Sequence, residues 1–137
     1  MKTEMKQDIK DRKDIELMVN TFYQKVRANE MLGKIFDDVI EVDWNRHLPK
    51  MYNFWENILY QNGSYKGFPF AAHLPVNEKE KLGAEHFDQW MAIFNETVDS
   101  LFEGEKAEEI KTKALSIKGV WSFKMDFINQ HKKEEAF

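Results

Sequence analysis

The sequence predicts an all-α protein. Apolar residues recur at three- and four-residue steps through most of the 137-residue chain, which is the signature of helices with one buried face. No stretch shows sustained alternation of apolar and polar residues with β-branched enrichment, so strands are not expected. Gly33, Gly63 and Gly104 fall where the periodic stretches end. The length suits a single domain over residues 1–137, with its core between about 13 and 129 and charged tails at both ends. There is no internal repeat, linker or low-complexity block.

The first helix is expected from about Lys13 to Ala28. Ile15, Met18, Val19, Phe22 and Val26 form its apolar face. Tyr23 follows Val19 by four residues and sits at the edge of that face, where its hydroxyl can point inward. Gly33 breaks the pattern, and Ile35-Phe36 open a connecting stretch.

A second helix is expected between about Asn45 and Tyr60. His47, Met51, Phe54, Trp55 and Ile58 share one face, widened by Trp44, Leu48 and Leu59. Pro49 removes a backbone donor and crowds the preceding turn. Regular helix is therefore expected to begin near Arg46 to Leu48, or to bend there, leaving His47 at an irregular end. Asn62-Gly63 closes the element, and Gly63 to Gly67 reads as loop.

The stretch Phe68-Pro69-Phe70-Ala71-Ala72-His73-Leu74-Pro75 holds one imidazole among apolar residues. Pro69 can open a helical turn and Pro75 stops it soon after His73. His73 thus reads as a single side chain of fixed direction, either a core histidine or an axial ligand to an iron in an apolar slot. Val76 to Gly83 reads as a loop with a helical turn. Trp90, Ile93, Phe94, Thr97, Val98, Leu101 and Phe102 mark the next helix, closed by Gly104. The last helix is expected from about Ala107 to Asn129, on Ile110, Ala114, Ile117, Val120, Trp121, Met125 and Ile128; His131 to Phe137 is expected to fray. His86 and His131 read as surface residues.

Composition narrows the function classes. Twenty basic residues against 24 acidic give a net charge of −4, so neither nucleic acid nor an anionic membrane is an expected partner. Without cysteine there are no disulfides, zinc-thiolate sites, iron–sulfur clusters or thioether-linked haem. The start is charged rather than signal-like, and no run is long enough to span a bilayer; a cytoplasmic protein is expected. Aromatics are abundant, with 11 Phe, 4 Trp and 4 Tyr beside 7 Met. They can fill a core or wall a pocket for a flat, apolar cofactor.

Four residues stand out on or beside apolar faces: Tyr23, His47, His73 and Trp90. Their order and context resemble the truncated haemoglobins, in particular the third group. The resemblance is carried by Phe22-Tyr23-Gln24-Lys25-Val26-Arg27, by Leu32-Gly33-Lys34-Ile35-Phe36 and by Trp44-Asn45-Arg46-His47 followed by Asn53-Phe54-Trp55. It continues in His73-Leu74 and in Phe87-Asp88-Gln89-Trp90-Met91-Ala92-Ile93-Phe94. The resemblance spans about Ile15 to Ile128. The chain also lacks the Gly-Gly pairs usual in groups one and two.

The resemblance implies a two-over-two helical sandwich around a non-covalent haem b. It implies His73 as the proximal iron ligand, with Tyr23, His47 and Trp90 on the distal side. Phe36, Met51 and Phe54 are implied to contact the porphyrin, as are His47 and Trp90, and Lys50 to meet a propionate. No residue is assigned a catalytic role. Implied ligands are O2 and other diatomics such as NO and CO. Oxygen on ferrous iron gains partial negative charge, so a tyrosine hydroxyl and an indole N–H aimed at it slow its release. That favours oxygen chemistry or scavenging over transport. Nitric oxide dioxygenation and peroxide chemistry stay open, and without a flavin or nicotinamide fingerprint they need an external reductase. Other classes are a cofactor-free helical interaction module and a di-iron bundle, although neither His47 nor His73 has a glutamate three residues before it.

Overall fold

The computed structural model describes residues 6–36, 43–61, 63, 73, 76–77 and 81–135, with side chains through residue 130. Among the described residues five helices form: α1 (Arg12–Ala28), α2 (Glu30–Lys34), α3 (Trp44–Tyr60), α4 (Ala84–Leu101) and α5 (Glu105–Glu135). No strand occurs among the described residues. α1 packs on α3 and on α4, α4 on α5, and α3 on α5. The pair α1 and α3 therefore lies over the pair α4 and α5, in the expected two-over-two sandwich. Among the described residues no helix is long and apolar enough to cross a membrane.

The core follows the periodicity of the sequence. Ile15, Met18, Val19, Phe22 and Val26 of α1 are fully buried, with Phe94 and Val98 of α4 and Ile110 and Ala114 of α5. Burying one such aliphatic or aromatic side chain contributes roughly 1.5–3 kcal/mol, and α1 presents its whole stripe to the two neighbouring helices. A second, smaller cluster joins Ile35, Leu82 and Met125, with Val76 and Phe87 packed against it.

Helix ends are set by side chains. The Asp11 carboxylate accepts from Asp14 N–H and starts α1. Asn29 ends α1 by donating its backbone N–H to Lys25 and Val26, and starts α2 by accepting at its side chain from Met31 and Leu32 N–H. One residue thus turns the chain between two helices. The Asp43 side chain accepts from Asn45 N–H at the start of α3. At α4 the Gly83 N–H donates to His86 Nδ1 at 3.0 Å. The first turn of α5 is capped from a distance by Asp8, whose carboxylate accepts from Lys106 and Ala107 N–H, both at 2.8 Å.

Several expectations are corrected. Gly33 does not end helical structure; it is buried inside α2, where a Cβ would collide with the Arg27 carbonyl. α3 begins at Trp44, ahead of Pro49, which lies within the helix. The proline has no N–H to give the Asn45 carbonyl, yet the apolar stripe on both sides holds α3 in place. α5 starts at Glu105 and stays helical to Glu135, so the backbone of the charged tail does not fray over that range; lysine and glutamate favour helix even without a buried face. Val120 lies outside the buried stripe and is 51% exposed, on the same outer side as Phe123 and Phe127. His86 is half-buried and caps α4 rather than lying free on the surface.

The helical turn foreseen after His73 is seen at Val76 and Asn77. Of the segment from Phe68 to Pro75 only His73 is described, so its expected turn lies outside the described residues. The same holds for the loop from Ser64 to Gly67 and for the side chain of His131.

Candidate functional site

α1, the end of α2 and the start of α3 bring four rings together. Tyr23 lies 5.2 Å from His47, 5.8 Å from Phe36 and 5.4 Å from Trp44, ring centre to ring centre. Trp44 lies 5.5 Å from His47 and 5.6 Å from Phe36, and Phe36 lies 6.1 Å from His47. All six pairs are in contact range, most of them edge to face, as ring quadrupoles favour. Trp44 and His47 are three residues apart on α3 and so project from one side.

This box changes the acid–base character of its members. Burial disfavours the phenolate of Tyr23 and pushes its pKa well above the ordinary value. The hydroxyl therefore keeps its proton and remains a donor. Burial likewise disfavours the imidazolium of His47, and the positive charges of His73 and Lys50 add to it. Together they bring the His47 pKa down to about 4. At neutral pH His47 is an uncharged imidazole. Its Nε2 is buried and has no hydrogen-bond partner among the described residues, which is uncommon for a buried polar atom.

A second aromatic group adjoins the first. Trp90 of α4 stacks on Phe94 at 5.5 Å and on Trp55 at 6.2 Å. Phe54 meets Trp55 edge to face at 5.0 Å. Phe22 joins the groups by touching both Tyr23 (5.1 Å) and Trp90 (5.7 Å). Met51 packs against this core, while Lys50 is exposed. The ring of His73 lies 5.0 Å from Trp121 of α5.

The residues singled out from sequence therefore fall into three adjoining sets. Tyr23, His47 and Phe36 share the first box, Trp90 and Phe54 the second, and His73 stands at α5. Trp44 and Trp121 were foreseen only as stripe residues. The spacing of Trp44 to His47 could have marked Trp44 as a site residue. No local pattern could have linked Trp121 to His73, because their contact joins distant parts of the chain.

A groove of about 600 Å³ lies between α1 and α3, bordered by Asn20, Tyr23, Gln24, Arg27, Trp44 and Leu48. The Arg27 guanidinium sits 4.8 Å above the Trp44 ring. Tyr23 and Trp44 thus face this groove as well as the box. Among the described residues no cluster of three or more His, Asp or Glu could hold a metal, which is the arrangement a di-iron bundle requires.

Comparison with known proteins adds two findings. The chain is 30% identical over 116 residues to the group 3 truncated hemoglobin ctb of Campylobacter jejuni, covering 82% of this chain and 89% of that protein. It also superposes on the crystal structure of a group III truncated hemoglobin from Campylobacter jejuni with a TM-score of 0.77 at 29% identity. That match covers 88% of this chain and 95% of the other. No protein-family model matches the chain.

Proposed function

The chain belongs to the group III truncated haemoglobins, and from that membership we propose that it holds a non-covalent haem b and binds O2 and related diatomics there. His73 would hold the iron through its imidazole. Phe36, Met51 and Phe54 would line the porphyrin, and Lys50, exposed on α3, would meet a propionate. Haem, when bound, would supply an iron able to take up a diatomic ligand.

The observation that carries this reading is the state of His47. A neutral imidazole with a buried, unpartnered Nε2 is costly in an ordinary core. Beside a polar ligand it has a use. Tyr23 keeps its proton through burial, so its hydroxyl would be a donor toward a polarised diatomic on that side. Trp90 offers an indole N–H, which only donates.

Absorption spectra of the haem-reconstituted protein test the reading, before and after dithionite and carbon monoxide, with His73→Ala alongside. A sharp Soret band that shifts with carbon monoxide, and is lost or altered in the variant, is expected. Absence of specific haem uptake would return the aromatic residues to an ordinary core and favour the cofactor-free helical module.

A further inference from the structure

The stretch after His73 is tied to α5 by a closed ring of hydrogen bonds. Asn77 Nδ2 donates to Asn129 Oδ1 at 2.8 Å. Asn129 Nδ2 donates to the Leu82 carbonyl at 3.3 Å. Leu82 N–H donates to Asn77 Oδ1 at 2.9 Å. Each member donates once and accepts once. Asn77 is only 5% exposed, so its amide relies on these partners. Asn77 has a further bond: its backbone N–H donates to the His73 carbonyl at 3.0 Å. A continuous path therefore runs from the Asn129 side chain on α5 to the backbone of His73.

The surroundings favour a positioning role. Trp121, Met125 and Asn129 follow one another at four-residue steps, so they share one face of α5. Trp121 meets the ring of His73. Met125 is fully buried with Ile35 and Leu82. Asn129 closes the amide ring. α5 thus meets His73 at two points, its ring through Trp121 and its backbone through Asn129 and Asn77. Apolar contacts alone would seal this region without fixing a direction, whereas hydrogen bonds constrain both distance and angle.

We propose that Asn77 and Asn129 are positioning residues for His73: their amide ring with Leu82 fixes the backbone from which the imidazole reaches the haem iron. This rests on His73 as the axial ligand. Partners beyond the ligand itself commonly govern how firmly a metal is held. Here the partners act through the main chain, so the property they set is the depth and tilt of the imidazole.

Resonance Raman spectra of the full-length ferrous haem protein test this, read at the iron–histidine stretching band. Asn129→Leu and Asn77→Ala are expected to shift and broaden that band, and to speed haem transfer to an acceptor protein by roughly tenfold. Asn129→Asp keeps the acceptor for Asn77 and loses only the donor to Leu82, so a smaller shift is expected. It also carries the test if a more drastic variant fails to fold. Gln130→Leu, on an exposed neighbour, is the control and should leave the band in place. His73→Gly with added imidazole separates the two claims. If His73→Gly keeps the original band, the axial assignment and the proposal both fall. If it loses the band and imidazole restores one, while the asparagine variants match the unsubstituted protein, the positioning role alone is overturned.

Discussion

The imidazole of His47 stands edge-on to the phenol of Tyr23, with ring centres 5.2 Å apart and planes at 79°. Two helices, α1 and α3, thereby place a protonated hydroxyl and a neutral ring nitrogen in one aromatic box. Tyr23→Phe keeps the ring contacts and removes only the hydroxyl. A hydrogen bond to a partly charged acceptor contributes about 1.5–3 kcal/mol, so oxygen dissociation should accelerate by roughly 10- to 100-fold. Stopped-flow displacement of oxygen by carbon monoxide measures it. An unchanged rate would mean that the hydroxyl does not reach the ligand.

His47 also makes the haem-free protein sensitive to acid. Its folded pKa is about 4 against an ordinary 6.5, so between those values the unfolded chain binds a proton that the folded chain refuses. Stability is complete above about pH 6.5 and falls as pH drops toward 4, with solvent screening of the half-buried ring holding the loss below about 3 kcal/mol. Denaturant midpoints of the haem-free protein should decline over that window, and His47→Leu should flatten the decline. Parallel curves for the two proteins would count against it.

Asp8 gives an acid response at lower pH. Burial raises its pKa, but the hydrogen bonds from Lys106, Ala107 and Ile9 N–H outweigh it and bring the carboxyl below its ordinary 3.8. The cap is therefore fully formed above that value and is lost as pH falls through the lowered one. Asp8→Ala should cost about 0.5–2 kcal/mol at neutral pH. The gap to the unsubstituted protein should close in strong acid, as thermal melts across pH would record.

Two glycines should respond in opposite directions to alanine. Gly33 lies against the Arg27 carbonyl with no room for a Cβ, so Gly33→Ala should destabilise by about 1–3 kcal/mol. Gly119 lies inside α5 with open space where a Cβ would go. Gly119→Ala should therefore stabilise by about 0.5–1 kcal/mol. Chemical denaturation of both variants decides it, and a Gly33→Ala variant as stable as the unsubstituted protein would contradict the packing seen at Gly33.

Helices whose apolar faces are continuous were legible from the chain. The stripe from Ile15 to Val26 and the stripe from Trp90 to Phe102 both match what is buried, because burial on one side imposes a period near 3.6 on any helix. α2 was not legible. Its five residues are too few to show a period, and Gly33 looks like a breaker until α1 is seen beside it. Pro49 misled for a related reason: its local cost is real, and packing along the rest of α3 outweighs it.

By itself the sequence determined the all-α class, the helix faces, and the set Tyr23, His47, His73 and Trp90 as residues of interest, because spacing along a helix fixes which side chains share a face. The tertiary structure decided which of them meet. It closed Trp44 and Phe36 around Tyr23 and His47, set Trp90 behind Phe22, and joined His73 to Trp121 and, through Asn77, to Asn129. Such contacts arise when whole helices pack, and periodicity within one helix carries no record of the partner its face will find.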